Sequence, residues 1–289
     1  MARVRAALAA RTDRNPLGET RDTFARLPGD PSRILVALSG GKDSLCTLDV
    51  TVRKYGAERV TPFLMELVKD LDCEWEIIRK VEKRYGLKCL GVPHHDLPRI
   101  LKDGVFCPSG PRAMALKLTK QADTEAYVRK LTGAPDAWIA WGMRAADSVV
   151  RRAMLARIKG IDVPKRRIYP IWTWNLSDVY GYLRANKLPT PRIVGGGKFG
   201  GGVDLSPKTL SWLKKHYPSD YRKIEAVFPF CGAAVFRLER MGIDDLAEVK
   251  EKFRQRRIAE RAAAASTGDA VSEVHAEAGS SKPAEERAI

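Results

Sequence analysis

The sequence predicts an α/β protein with a doubly wound parallel sheet and a mostly helical C-terminal extension. Short apolar segments of strand length alternate with longer segments whose apolar residues recur at helical spacing. This alternation indicates a parallel sheet that helices cover on both faces. Between residues 206 and 265 the predicted elements are all helices, which indicates a helical C-terminal extension.

Each predicted element has its own local pattern. The first strand, 33–38, is apolar and partly β-branched, and the helix after it, from Leu45 to Val52, has apolar residues at helical spacing. Pro207 directly after Ser206 is typical of a helix start. The further predicted strands are 60–65, 88–92 and 137–141, and the further predicted helices are 71–85, 113–131, 206–217, 221–228 and 243–265.

We expect four regions along the chain. Residues 1–30 are a basic N-terminal arm without the apolar core of a secretory signal, and residues 31–190 form the sheet domain. Residues 191–265 contain a glycine-rich loop and helices, and the Ala/Ser/Glu/Gly-rich residues 266–289 form a disordered tail. The glycine run at 195–202 is either a lid that orders over bound substrate or a plain flexible loop.

The composition favours a protein that binds anions. The chain has 289 residues and a formal net charge of +16, and such a field attracts nucleotides or nucleic acid without distinguishing between them. No apolar run is long enough to span a bilayer, so we expect no membrane partner. The five cysteines are scattered without a C-x-x-C pair, which argues against a disulfide framework and favours a cytoplasmic setting.

The segment from Ser39 to Ser44, Ser-Gly-Gly-Lys-Asp-Ser, joins the first strand to the first helix of the sheet domain. A turn of this kind directs backbone N–H groups and a helix N-terminus at one point, which suits an anion. Gly40 and Gly41 allow the backbone to approach a ligand closely. Lys42 adds a positive charge and Asp43 can hold a metal ion. The segment is not a Walker A loop, because Asp43 follows Lys42 where that motif has Ser or Thr.

A second polar segment follows the fourth predicted strand and therefore lies at the same edge of the sheet. Gly142 allows close backbone approach, and Arg144 and Arg151 can grip phosphate or sulfate in a bidentate manner. Asp147 can cap the next helix or orient an arginine. In a doubly wound sheet, the first and fourth strands flank the crevice where strand order reverses, so both segments are expected to face one ligand.

The residues Ser39 to Ser44 resemble the SGGxDS pyrophosphate loop of the ATP pyrophosphatase superfamily. The segment from Gly142 to Arg151 is similar to a Gly-x-Arg-x-x-Glu-Ser-x-x-Arg segment of phosphoadenosine phosphosulfate (PAPS) reductases and of the ATP sulfurylase small subunit, with Asp147 in place of the glutamate. The Pro-x-x-x-Trp run that ends at Trp174 and the Asn-x-Leu-Pro segment that ends at Pro189 extend the resemblance. It implies an adenine nucleotide alpha hydrolase-like fold over residues 33–191.

The resemblance also implies a chemistry and a set of site residues. ATP with Mg²⁺ would bind at the loop, with Lys42 and the loop amides on the β- and γ-phosphates and Asp43 on the metal. Arg144 and Arg151 would hold the α-phosphate or an incoming oxyanion, which becomes adenylylated, in sulfur metabolism or sulfur transfer. The strand end at Leu64 and Met65 would lie beside the adenine. The binding residues are then Ser39, Gly40, Gly41, Lys42, Asp43, Ser44, Leu64, Met65 and Gly142.

Three other functions stay open on the sequence. A thiol-dependent PAPS reductase would carry a Glu-Cys-Gly-Leu-His motif near the C-terminus, and the late cysteine here, Cys231, lacks those flanking residues. DNA or RNA sulfur modification fits the positive charge, although RNA thiolases usually add cysteine pairs. A basic nucleic-acid-binding protein, with nucleotide retained only for structure, is the non-enzymatic alternative. A partner protein is a further possibility for each.

The cluster of His94 and His95 with Cys89 and Cys107 resembles a zinc site in composition only. Adjacent side chains on an extended segment point in opposite directions. We therefore expect no zinc site from these four residues.

Overall fold

The computed structural model of the chain describes residues 15–97, 120–189, 205–240 and 255. The strands are β1 (Ile34–Ala37), β2 (Val60–Glu66), β3 (Leu90–Pro93), β4 (Trp138–Ala140), β5 (Ile161–Asp162) and β6 (Arg167–Ile168). The helices are α1 (Pro16–Ala25), α2 (Lys42–Tyr55), α3 (Asp72–Tyr85), α4 (Gln121–Leu131), α5 (Val149–Ile158), α6 (Leu176–Ala185), α7 (Pro207–His216), α8 (Pro218–Val227) and α9 (Cys231–Arg240). Short 3₁₀ turns lie at Ala57–Arg59 and Ala145–Asp147.

The six strands form one sheet in the order β3-β2-β1-β4-β6-β5. All neighbouring pairs are parallel except β5 with β6, which are antiparallel. β1 therefore lies between β2 and β4, and the strand order reverses beside it. This topology confirms the predicted doubly wound α/β fold and places the crevice at the carboxyl ends of β1 and β4.

The predicted strands and helices agree with the structure except at their ends. No bounds were predicted for the helices α1, α5 and α6, and the two-residue strands β5 and β6 and the helix α9 were not predicted, because their patterns are too short or too ambiguous. The predicted helix 113–131 is described from residue 121 onward. The glycine run 195–202, the predicted helix 243–265 and the tail 266–289 lie outside the described residues, apart from residue 255.

The core lies on both faces of the sheet. Ile34 and Val36 of β1 face one apolar cluster, whereas Leu35 and Ala37 face another, as the alternation of a strand requires. All four residues of β1 are buried because helices cover both faces. None of the described helices is both long enough and apolar enough to cross a membrane.

Helix α1, which falls within residues 1–30, packs on the main core. Phe24 is buried in that core, and the Thr20 hydroxyl donates to the Pro170 carbonyl oxygen at 3.0 Å. The indole nitrogen of Trp174 donates to both the Pro16 carbonyl oxygen and the Thr20 hydroxyl. Trp174 is 1% exposed, so it is a core residue that anchors α1.

A buried carboxylate joins three helices. Asp49 of α2 accepts hydrogen bonds from the hydroxyls of Tyr85 of α3 and Tyr182 of α6, and Arg53 pairs with it at 2.7 Å. The phenols and the guanidinium satisfy a charge that would otherwise be costly to bury. This cluster fixes the three helices around the strand that leads to the Ser39–Ser44 loop.

The C-terminal helices form their own apolar cluster on the N-terminal end of α3. Leu210, Leu213, Ile224 and Cys231 are fully buried there. Asp220 of α8 is also fully buried, and its carboxylate accepts the backbone N–H groups of Asp72 and Cys73 at 3.0 and 2.8 Å. The residue before α3, Leu71, has no side chain that can cap the helix. Asp220 caps it instead, from 148 residues away in sequence.

We expect Asp220→Ala to lower the free energy of unfolding by about 1–3 kcal/mol, because two N–H groups of the first turn of α3 lose their acceptor. Urea denaturation followed by circular dichroism measures the change. Ser219→Ala, at the exposed neighbouring position of the same helix, is the control and should change little. Equal free energies of unfolding for the two variants would show that the Asp220 carboxylate does not stabilise α3 as a cap.

Candidate nucleotide site

The Ser39–Ser44 loop crosses from the carboxyl end of β1 to the first turn of α2. Gly40 has a φ of +71°, and a Cβ atom there would lie 2.6 Å from the side chain of Ile77, so only glycine fits both demands. Gly41 is the N-cap residue of α2 and makes no side-chain capping hydrogen bond. Because no side chain caps α2, the N–H groups of its first turn are suited to binding an anion.

Hydroxyl groups hold the loop in shape. The Ser44 hydroxyl donates to the Gly41 carbonyl oxygen at 2.9 Å, and the Ser39 hydroxyl lies 3.3 Å from that of Ser44. The Gly41 N–H donates to the Ser39 hydroxyl oxygen at 3.4 Å. The two serine hydroxyls therefore form hydrogen bonds within the loop. These bonds fix the direction in which the backbone N–H groups of the loop point.

The segment after β4 packs directly on this loop. A Cβ atom at Gly142 would lie 2.9 Å from the backbone carbon of Asp43 and 2.9 Å from the nitrogen of Ser44. No residue other than glycine can occupy this position without moving the first turn of α2. Gly142 was predicted to let a ligand approach the backbone closely. In the structure, the group that approaches it is the backbone of Asp43 and Ser44.

Arg144 lies beside the first turn of α2. It is 4% exposed, and its Nε atom is 2.8 Å from Oδ1 of Asp43. Lys42 is 8% exposed and pairs with Oδ2 of the same carboxylate at 2.8 Å. Nη1 of Arg144 is buried and has no hydrogen-bond partner among the described residues. A donor of this kind is available to an anion that enters the crevice.

Asp147 joins the two arginines. Its carboxylate lies 2.7 Å from Nη2 of Arg144 and 3.0 Å from Nη1 of Arg151. Arg151 is about half exposed, with 48% of its side chain accessible, so it lies on the outer side of this network. The five charged groups are Lys42, Asp43, Arg144, Asp147 and Arg151, and they carry a formal net charge of +1.

The two residues predicted beside the adenine lie on opposite faces of β2. Leu64 is 2% exposed and belongs to the main core, so only its backbone is available to a ligand. Met65 is partly buried and packs against the cluster on the other face. The structure brings the loop, Gly142 and Arg144 together directly, whereas Arg151 joins them through Asp147.

Glu66 is a polar residue of this sheet edge that the sequence reasoning did not select. It ends β2, is 6% exposed, and its Oε1 accepts the Trp75 indole N–H at 2.7 Å and the Asp70 backbone N–H at 2.9 Å. A Cβ at Gly91 would lie 2.3 Å from its Oε2. Glu66 thus shapes the turn after β2. The only indication of Glu66 in the sequence was that a charged residue ends an apolar strand.

The described cysteines are poor nucleophiles. Cys46, Cys73, Cys89 and Cys231 are all buried free thiols. Burial raises the pKa of each of these thiols, and raises it well above the usual value for Cys46, Cys73 and Cys89. A thiol with a raised pKa is not ionised near neutral pH, so none of the four is activated for nucleophilic attack. Cys107 lies outside the described residues.

The expected divergence of His94 and His95 is wrong. Their rings stack with centroids 4.3 Å apart and an angle of 22° between the planes. β3 ends at Pro93, so the two histidines begin a turn rather than continue the extended strand. Alternation of side chains holds only while the strand lasts.

The Ser39–Ser44 loop lies at the switch point of a doubly wound sheet, where β1 and β4 end. The family described as the phosphoadenosine phosphosulfate reductase domain matches residues 33–224. The chain belongs to this family.

Other similarities are more distant. An uncharacterized protein of Methanocaldococcus jannaschii is 25% identical over 226 residues, which are 74% of this chain and 45% of that protein. The chain therefore spans less than half of that relative's length.

Solved structures with a similar fold have low sequence identity. PAPS reductase from Candida auris, in a phosphate complex, is 18% identical, with a TM-score of 0.41 over 66% of this chain and 89% of that one. The U34-tRNA thiolase NcsA from Methanococcus maripaludis is 16% identical, with a TM-score of 0.41 over 74% and 78%. An NH3-dependent NAD synthetase from Campylobacter jejuni is 14% identical, with a TM-score of 0.43 over 76% and 97%.

We expect Gly142→Ala to lower the free energy of unfolding by about 1–3 kcal/mol, because the new methyl group displaces the first turn of α2. Thermal unfolding measures the effect. Gly181→Ala is the matched control, because Gly181 lies inside α6 with open space around it. That change should stabilise the protein by about 0.5–1 kcal/mol. Unchanged stability in Gly142→Ala would contradict the close packing described here.

Proposed function

We propose that this protein binds ATP with Mg²⁺ and cleaves it at the α-phosphate, so that an oxyanion substrate becomes adenylylated. The observation that carries the proposal is the buried Arg144: its Nε lies 2.8 Å from Oδ1 of Asp43 in the first turn of α2, which no side chain caps, and its Nη1 has no hydrogen-bond partner within the described residues. A helix N-terminus and a fixed guanidinium together stabilise negative charge in a site that largely excludes water.

Each charged residue has a place in this reaction. The loop amides and Lys42 hold the β- and γ-phosphates, and Arg144 holds the α-phosphate. We place the incoming anion on the side of Arg144 and Arg151 away from Asp147, because the Asp147 carboxylate already pairs with both guanidiniums and holds them near each other. An oxygen of this anion forms a bond to the α-phosphorus, and the bond from that phosphorus to the bridging oxygen of pyrophosphate breaks. The protein contributes position and charge.

Asp43 fits the proposed Mg²⁺. Its Oδ1 atom is buried and makes no hydrogen bond among the described residues, although it pairs with Arg144 as an ion. Magnesium is commonly held by one or two carboxylates together with substrate phosphates, and the loop offers one carboxylate. When bound, Mg²⁺ supplies charge neutralisation for the phosphates.

The second substrate has two candidates. A small oxyanion fits between the arginines, whereas a nucleic acid is favoured by the exposed surface of α5. Arg151, Arg152 and Arg157 are exposed on that helix, and Val149 and Val150 are 77% and 79% exposed beside them. Because α5 contains no acidic residue, it could hold a phosphate backbone next to the crevice.

We expect the protein with Mg²⁺ to convert ATP to pyrophosphate and the adenylylated acceptor when an acceptor is added, with AMP appearing where water hydrolyses that product. The acceptors to compare are sulfate and other small oxyanions, RNA and DNA, with products separated by chromatography. Stimulation by nucleic acid alone would favour the second candidate. Formation of ADP and phosphate, or no ATP binding in calorimetry, would contradict the proposal.

Two variants test the site residues in the same assay. Lys42→Ala and Arg144→Ala should each weaken ATP binding by about ten- to a hundredfold, because each removes a charge-assisted contact worth about 1.5–3 kcal/mol. Arg144→Lys should recover only part of this loss, because the planar fork is absent. Arg152→Ala, an exposed arginine of α5, is the control and should bind ATP normally. Equal affinity in Lys42→Ala and the wild type would contradict the proposed role of the loop.

We expect no cysteine to be essential, because four of the five are buried with raised thiol pKa values. A variant with both Cys107→Ser and Cys231→Ser should keep its turnover of ATP. Its folding is checked by thermal unfolding against the wild type. A folded variant that has lost all turnover would restore the thiol-dependent PAPS reductase as the better function.

A further inference from the structure

The turn after β3 brings together two imidazoles and a carboxylate. His94, His95 and Asp96 each offer one potential ligand atom, and these three atoms lie within 4.8 Å of one another. Nδ1 of His94 is 3.8 Å and Nε2 of His95 is 4.0 Å from Oδ2 of Asp96. The site proposed for ATP uses none of these residues.

Backbone hydrogen bonds hold this turn at both ends. The His94 N–H donates to the Glu66 carbonyl oxygen at 2.9 Å, which continues the pairing of β3 with β2 by one residue. The Leu97 N–H donates to the His94 carbonyl oxygen at 2.9 Å, and Leu97 packs against the cluster of C-terminal helices. The three side chains are therefore carried by a fixed backbone.

One hydrogen bond also orients the first ring. The Asp96 N–H donates to Nδ1 of His94 at 3.1 Å. An unprotonated imidazole nitrogen is the form that binds a metal ion. Coordination at Nδ1 would replace this hydrogen bond.

We propose that His94, His95 and Asp96 bind one divalent transition-metal ion of the Zn²⁺ class. Imidazole and carboxylate together suit zinc and its neighbours, whereas Mg²⁺ prefers oxygen ligands alone. With bonds of about 2.0–2.2 Å, a tetrahedral zinc ion holds its donor atoms roughly 3.3 Å apart. The two distances to Asp96, 3.8 and 4.0 Å, each require a closure of well under 1 Å, and all three donor atoms already lie within 4.8 Å of one another. The stacked imidazole rings would turn so that both lone pairs face the ion.

The exposure of the three side chains suits an ion that enters from solvent. The side chains of His94 and His95 are 24% and 22% exposed, and that of Asp96 is 38% exposed. Three protein ligands leave at least one position open for water or another ligand, as in zinc sites that act chemically. The turn follows the carboxyl end of β3, two strands from β1, so the ion would lie on the same edge of the sheet as the Ser39–Ser44 loop.

The test uses the full-length protein after chelator treatment and Zn²⁺ alone, without nucleotide. Calorimetry should give one tight zinc ion per chain, and zinc should raise the melting temperature. Asp96→Asn, which keeps the shape of the side chain, and His95→Ala should each weaken zinc binding by at least about tenfold, since loss of even an outer-shell partner costs 10- to 100-fold. Thermal unfolding without zinc confirms that both variants are folded.

Two control variants separate this site from others. His216→Ala removes an exposed histidine of α7, and Asp43→Asn alters the proposed Mg²⁺ ligand, so both should bind zinc like the wild type. Substitution by Co²⁺ distinguishes nitrogen and oxygen ligands from thiolates, because thiolate coordination adds an intense charge-transfer band. Absence of tight zinc binding, unchanged binding in both site variants, or a thiolate band would overturn the proposal. Because no nucleotide is present, these outcomes do not depend on the proposed reaction with ATP.

Discussion

The first turn of α2 and the segment after β4 meet at Gly142, and the arrangement of the candidate nucleotide site depends on this contact. The missing side chain lets two backbones approach so closely that an added Cβ would lie 2.9 Å from Asp43 and Ser44. Since β1 and β4 are adjacent in the sheet, this approach occurs at the switch point, where both strands end. It brings Arg144 within ion-pair distance of Asp43, although 101 positions separate the two in sequence.

The electrostatics of the site follow from that proximity. Arg144 is buried because Asp43 and Asp147 balance its charge, and burial of a guanidinium without such partners would be strongly unfavourable. The two carboxylates leave Nη1 without a hydrogen-bond partner in the described part of the chain. The network therefore holds the cation in place and still leaves it donor capacity for an anion. Arg151, on the solvent side, extends the positive field outward.

Buried carboxylates far from the site hold the surrounding helices. Asp49 joins α2, α3 and α6 through two phenols and a guanidinium, and Asp220 caps α3 from the C-terminal helices. Most helices and the longer strands were predictable, because each has a hydrophobic period of its own. These long-range polar contacts were not predictable, since a carboxylate in an amphipathic helix has the same sequence pattern whether it faces water or a distant N–H group. The strands β5 and β6 were too short to show any period.

The sequence by itself determined the fold class, the glycine loop and the residue types that suit a phosphate, because these follow from local periodicity and from the backbone freedom of glycine. It also named Gly142 and Arg144 as partners of the loop, since parallel strands end at a common edge. Only the tertiary structure decided that Leu64 points into the core, that Arg151 reaches the site through Asp147, and that His94 and His95 stack. Each of these depends on where a strand ends or which face a neighbour covers, and that is settled by packing between segments distant in the chain.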